Sequence, residues 1–157
     1  MKKRLALLLL PLALCLAACD GTVYYAEYED VDEKGWLPTD SVAFDVDVED
    51  TNLIFNFLVE VRNTVSYPYS NTFLFINTTF PDGSVAYDTL ECPLADVEGH
   101  WYGRRTGRYV DSRFVFRRHV IFPRTGLYRF EILHGMRDTN VAGLKSVGLR
   151  IERFGTK

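Results

Sequence analysis

With 157 residues, a quarter of them charged, and a formal net charge of −3, the chain has the size of one domain and lacks the basic footprint of a general nucleic-acid binder. The first 18 residues hold three of its 18 basic residues and none of its 21 acidic ones, so a chain starting at Cys19 has 139 residues and a net charge of −6. That length fits a single core burying about two thirds of the unfolded surface.

The opening segment has the order of a secretory signal: a basic tip (Lys2, Lys3, Arg4), an apolar run from Leu5 to Ala18, and small residues before a cut. The run has 14 residues, whereas a helix spanning the hydrocarbon needs about 20, so cleavage is expected. Leu16-Ala17-Ala18-Cys19 reads as a lipoprotein cleavage box. A thiol at the cut can form a thioether to lipid, which makes Cys19 the acylated first residue of the mature protein. Its two or three acyl chains, of the palmitate type, would hold it in a membrane, each buried methylene contributing roughly 0.8 kcal/mol. Cys92 is then unpaired within the chain and is expected to be a buried, small apolar residue.

Residues 19–38 are rich in acids and aromatics (Tyr24, Tyr25, Tyr28, Glu29, Asp30, Trp36) and read as a tether leading into a domain over 39–157. Val42 to Asp50 alternates, with Val42, Phe44, Val46 and Val48 on one face and Asp45, Asp47 and Glu49 on the other, the pattern of a half-buried strand. These acids lack the turn glycine and bidentate Glu of a calcium loop. Asn52 to Arg62 repeats the pattern, with Phe55, Phe57, Val59 and Val61 facing inward and Asn56, Leu58, Glu60 and Arg62 outward. Thr72 to Phe80 is a third strand, and Pro81-Asp82-Gly83-Ser84 turns it into a hairpin with Val85 to Leu90. Arg113–Phe122, Gly126–Leu133 and Ser146–Phe154 complete about eight strands, with no strong amphipathic helix. The expected fold is all-β, an antiparallel β-sandwich, with an open barrel as runner-up. A membrane-spanning barrel conflicts with Asp45, Asp47, Glu49, Glu60, Arg129 and Arg150 at outward positions, each costing about 2 to 4 kcal/mol against lipid.

His100, His119 and His134 have no metal-ligand spacing, and the chain holds no nucleophile elbow, P-loop or dinucleotide fingerprint. No metal and no cofactor is therefore expected. Three segments go beyond what strand building requires: Arg62 to Asn71 with Tyr67-Pro68-Tyr69, Leu94 to Gly103 with Trp101 and Tyr102 between glycines, and Gly135-Met136-Arg137-Asp138. Aromatic and Arg side chains dominate protein interfaces, and loops on a rigid sandwich carry function. Arg62, Asn63, Tyr67, Tyr69, Trp101, Tyr102, Met136 and Arg137 are thus candidate interface residues. The structural alternative is that Trp101 and Tyr67 plug the open ends of the sandwich.

The lipoprotein signal, Arg62-Asn63 followed by Tyr67-Pro68-Tyr69-Ser70-Asn71, Leu94-Ala95-Asp96 with Gly99 and Trp101, Gly126-Leu127-Tyr128, Met136-Arg137, and Val147-Gly148-Leu149-Arg150 run in order along the chain. Together they resemble the GldH-type gliding motility lipoproteins. The resemblance implies a lipid-anchored cell-envelope protein connected with gliding motility and its secretion apparatus, and offers no catalytic residues to carry over. Asp40-Ser41-Val42 and Asp88-Thr89-Leu90 resemble the O-glycosylation triplet used in the same bacterial group. Ser41 is the better candidate, since Thr89 is expected within a packed strand.

The leading expectation is a noncatalytic accessory or structural component of the motility and secretion machinery, probing envelope proteins through its aromatic loops, anchored in the outer membrane. Anchoring raises its effective concentration near such partners. A carbohydrate-binding module is the alternative, with Trp101, Tyr102, Tyr67 and Tyr69 stacking on sugar rings. A hydrolase using two carboxylates is the third, and requires a pair with separated pKa values in one cleft.

Overall fold

The structure is a computed structural model that describes residues 22–157; the cleavage box and Cys19 lie outside the described residues. Nine strands follow in order: β1 (Val23–Asp30), β2 (Val42–Val48), β3 (Leu53–Thr64), β4 (Asn71–Thr79), β5 (Val85–Pro93), β6 (Arg104–Thr106), β7 (Tyr109–Val120), β8 (Gly126–His134) and β9 (Leu144–Thr156). They form a five-stranded sheet, β1-β9-β3-β7-β6, and a four-stranded sheet, β2-β8-β4-β5. Every pairing is antiparallel. The architecture is the expected sandwich. Among the described residues no helix is long and apolar enough to cross a membrane.

Alternation builds the core. Phe44, Val46 and Val48 of β2, Leu74 and Ile76 of β4, and Tyr128, Phe130 and Ile132 of β8 form one inner face; Phe55, Phe57, Val59 and Val61 of β3 with Val147, Leu149 and Ile151 of β9 form the other, and all are buried. The faces meet through rings: Phe57 sits edge-on to Phe130 at 5.7 Å and tilted against Phe122 at 5.3 Å. Such pairs add about 0.5–1.5 kcal/mol beyond their area. The β4–β5 hairpin is closed as read, with Gly83 at φ +83° in the turn and Thr79 opposite Val85.

The tether expected over residues 19–38 is corrected from Val23 onward. β1 is an edge strand paired along β9 from Val23 opposite Glu152 to Asp30 opposite Ser146. Its first residues touch the core, the Tyr24 ring tilted against Phe55 at 4.8 Å, and from Ala26 onward its side chains are exposed, so main-chain pairing holds the rest of this edge strand. Tyr28 lies against Gly148 of β9, where a Cβ would come within 2.6 Å of its ring. Trp36, also assigned to the tether, is 1% exposed. It bridges to Val141, donates its indole N–H to the Asp40 carbonyl, and packs edge-on to His134 at 5.4 Å.

The outward side of β3 is covered where alternation predicted exposure: Leu58 and Glu60 are both buried. β3 is the middle strand of its sheet, so neighbours on both sides supply cover. Tyr28 of β1 and Arg113 of β7 both bond the Glu60 carboxylate, and Arg113 also approaches Glu152 of β9 at 4.0 Å. Four strands are laced together by one carboxylate cluster.

If residues up to 38 belong to the fold, Trp36→Ala will lower the unfolding free energy by about 3–5 kcal/mol, the range for a buried large aromatic, while Leu37→Ala changes it by less than about 0.5 kcal/mol. Denaturant titration of the two variants measures the contrast, and equal small effects would restore the tether.

Candidate functional site

Antiparallel strands return the chain alternately to two ends of the sandwich. β1, β3, β5 and β8 all finish at one end, so the connections 31–41, 65–70, 94–103 and 135–143 share it. The three unusual segments converge there although they are far apart in sequence. Main-chain bonds lock them: the amides of Leu94 and Ala95 donate to the Ser70 carbonyl at 2.8 and 2.9 Å, and Gly135 N–H donates to Phe73 O at 2.6 Å. Thr64 N–H donates to Gly143 O at 2.8 Å. Gly143 has φ +94°, and a Cβ there would lie 3.1 Å from the Tyr67 Cα, so this close approach requires glycine.

The second segment is a short excursion from the β5 end. Ala95 bridges to Trp101, and Tyr102 N–H donates to Leu94 O. Its tip is shaped by Asp96, whose carboxylate accepts the amides of Glu98 and His100 at 2.9 and 2.8 Å. Those bonds hold the Asp96 carboxyl below the usual range, the His100 amide contributing most. Asp96, Glu98 and His100 gather their ligand atoms within 4.8 Å of one another, a cluster that no reading of histidine spacing anticipated. Its hydrogen bonds account for it as a turn-forming group. The excursion presents Val97, fully exposed, with Trp101 half-buried and Tyr102 65% exposed.

Two depressions flank Tyr69. One, about 460 Å³, is lined by Tyr67, Pro68, Tyr69, Ala95, Val97 and Trp101. The other, about 620 Å³, is lined by Tyr69, Phe73, Phe75, Gly135, Met136 and Arg137, with Asp138 at its rim. The Tyr69 hydroxyl donates to the Asp138 carboxylate, which raises the phenol pKa, and the Met136 sulfur accepts the Phe73 amide at 3.4 Å. Tyr69 is the ridge between them, with an apolar hollow on the Met136 side and a more polar one, reaching Ser70 and Asp96, on the Trp101 side.

The eight candidate interface residues divide. Tyr69, Trp101, Tyr102, Met136 and Arg137 contribute to this surface. Tyr67 is 4% exposed, packs edge-on to Tyr69 at 5.4 Å, and has its hydroxyl pushed up to about 12 by burial, so it is a plug. Asn63 is fully buried, and its side-chain amide donates to the Thr64 carbonyl. Arg62 lies on the outer side of the five-stranded sheet in a two-point ion pair with Asp111, at 2.6 and 3.2 Å. Sequence reading did not single out Val97, Phe73 or Phe75. Phe75 falls within the strand expected over Thr72 to Phe80, and β4 alternates Thr72, Leu74, Ile76 and Thr78 inward, which leaves Phe75 45% exposed. A period-2 count over 71–79 could have found it.

Elsewhere, Cys92 is fully buried, as expected, and burial pushes its thiol up to about 12. Ser41 is exposed just before β2. Thr89, expected to be hindered by packing, is exposed too, because β5 is an edge strand and this side chain points out of the sheet. A seam between β5 and β7 leaves an apolar cleft of about 330 Å³ lined by Phe57, Phe80, Phe116, Ile121 and Phe122, bridged by Arg117 and Asp88.

Residues 23–151 match the GldH lipoprotein family. The chain belongs to the GldH lipoprotein family. It is 32% identical over 144 residues to the gliding motility lipoprotein GldH homolog of Christiangramia forsetii, covering 87% of this chain and 88% of that one. It is 29% identical over 153 residues to the gliding motility lipoprotein GldH of Flavobacterium johnsoniae, covering 93% and 94%. Among solved structures, a mitogen from Yersinia pseudotuberculosis matches with a TM-score of 0.37 and 6% identity, over 85% of this chain and 87% of that one, a likeness without functional weight.

Two measurements check the chemistry beneath this surface. The Cys92 thiol will resist a disulfide-exchange reagent at pH 8 in the folded protein and react fully on unfolding; rapid reaction of the native state would contradict its burial. His134 is 2% exposed, and desolvation lowers its pKa. The unfolded chain therefore binds more protons below about pH 6.5, and stability falls as pH drops through that value towards the lower folded pKa. His134→Leu should flatten this part of the acid limb in denaturant midpoints taken between pH 7 and 5.

Proposed function

We propose that this protein is a lipid-anchored cell-envelope component of the gliding motility machinery and its associated secretion apparatus, noncatalytic, and held by acyl chains on Cys19. It docks protein partners through Tyr69, Trp101, Tyr102, Met136 and Arg137, with Val97 and Phe75 at the edges of the same surface. The observation that carries this reading is the convergence of three separate connections into one rigid end displaying aromatic, Met and Arg side chains, the residue types enriched in interface hot spots. The names of the two relatives supply the gliding motility setting. The outer membrane is the proposed site of the anchor, and Ser41 the proposed O-glycosylation site.

A noncatalytic role fits the way the acids are used. Glu60 is taken by Tyr28 and Arg113, Asp96 by backbone amides, and Asp88 by Arg117. The carbohydrate-binding alternative needs rings sharing one plane; Tyr67 and Tyr69 cross at 69°, and Tyr67 is buried.

A crosslinked pull-down from native membranes tests the reading, comparing wild type with a Trp101→Ala, Tyr102→Ala pair whose folding is verified by its melting curve. Motility or secretion proteins will co-purify with wild type and drop at least tenfold with the pair, as expected for loss of hot spots worth about 2 kcal/mol or more. Retention of glycans without protein partners would replace this reading with the sugar-binding one.

A further inference from the structure

We propose that the opposite end of the sandwich is a membrane-contact surface that seats on phospholipid headgroups and stands the domain upright. This rests on the reading of Cys19 as the anchor. Thr22 lies at the end where β9 finishes: the Arg153 amide donates to the Thr22 carbonyl at 2.6 Å, and Val23 pairs with Glu152. The turns 49–52, 80–84 and 121–125 share this end. Only three peptide links separate Cys19 from Thr22, a span of at most about 10 Å. With acyl chains in the hydrocarbon, that reach is comparable to the thickness of one headgroup layer, about 5–8 Å. The domain therefore has no room to stand away from the bilayer, and whatever surrounds Thr22 meets it.

What surrounds it suits that contact. Arg118, Arg153 and Lys157 cluster towards this end, and among the described residues none of the three has a carboxylate within ion-pair distance. Phe154 is 59% exposed and Ile121 38%. A bulge arranges the group. β3 advances from Phe55 to Phe57 while β7 goes from Val120 to Arg117, so Arg118 and His119 are both accommodated opposite Asn56. His119 adopts φ +54°, its amide donates to Asn56 Oδ1 at 3.1 Å, and its ring rests on Phe154 at 4.2 Å. A left-handed non-glycine residue is an uncommon conformation, and here it seats the His119 imidazole against the exposed Phe154 ring.

Acids are present here as well: Asp82 pairs with Arg124 and Glu152 with Arg150, while Asp47, Glu49 and Asp50, at the end of β2 and in the β2–β3 turn, have no ion pair among the described residues and match the three cations in number. The opposite end carries Asp32, Glu33, Asp40, Asp96 and Glu98 in its connections, which suit it to face away from an anionic surface. Cations among exposed apolar side chains match the chemistry of a headgroup layer, where basic residues meet phosphates and rings sit at the boundary.

The acylated protein, purified from membranes, would be placed in vesicles of phosphatidylglycerol and phosphatidylethanolamine containing chain-brominated lipid, with a fluorophore on Phe154→Cys or Val97→Cys; Cys92 is buried and does not compete. The mass of the amino-terminal peptide reports separately whether Cys19 carries lipid. The probe at 154 will be quenched and that at 97 will not; equal quenching, or stronger quenching at 97, would overturn the proposal. A second arm does not need the anchor. The chain from residue 20, which retains every strand, will bind phosphatidylglycerol vesicles, and a variant with Arg118→Glu, Arg153→Glu and Lys157→Glu will bind more weakly by at least about fivefold per residue, while Arg105→Glu on the exposed strand β6 has no such effect. Unchanged binding by the triple variant, or equal capture by pure phosphatidylcholine, would contradict the surface even where Cys19 is lipidated.

Discussion

Strand β3 is the constraint on which the rest depends. It pairs along nearly its whole length with β9 on one side and β7 on the other, so those strands must run antiparallel to it and turn at its two ends. With 12 residues at about 3.4 Å each, it also sets a distance of about 40 Å between the ends. Its inner face supplies four apolar side chains to the core, and its outer face carries Glu60, through which β1, β7 and β9 are cross-linked by hydrogen bonds and charge. Once β3 is placed, which connection lies at which end is decided by strand direction alone.

That division is why a chain with no obvious catalytic constellation still has a polarised surface. One end gathers the long connections, where aromatic and sulfur-bearing residues stand on segments tied to one another by main-chain bonds. The other end gathers tight turns and the segment that leads back towards Cys19. A rigid loop cluster loses less entropy on docking than a mobile one, so modest exposed area can yield a specific contact. The proposed interface residues sit on a frame, and the frame is what the alternating strands provide.

The sequence made the inner faces legible because a period of two is unambiguous in β2 and β3, and the hairpin at Pro81-Asp82-Gly83-Ser84 carries its own turn chemistry. Three features escaped for physical reasons. β1 presents Val-Tyr-Tyr-Ala-Glu-Tyr-Glu-Asp, whose acids suggest solvent, yet an edge strand is stabilised by pairing with its neighbour and tolerates charge on both faces. Glu60 looked like an outward residue because alternation does not reveal that a central strand is covered on both sides. Arg62 and Asn63 stood next to an aromatic loop and inherited its reading, whereas the strand continues to Thr64 and points one of them to Asp111 and the other into the interior. The loop cluster itself was legible as three unusual segments; that they meet could be known only once the number and direction of strands between them were fixed.

The central claim is that the two ends of the sandwich have different neighbours, protein at the long connections and lipid at the turns. The most direct measurement is photocrosslinking in native membranes from a light-activated residue placed at Tyr102 in one strain and at Ile121 in another. The account predicts protein adducts from position 102 and phospholipid adducts from position 121. Protein adducts from 121 with lipid at 102 would turn the molecule over, and adducts of one kind from both positions would contradict the division of labour between its ends.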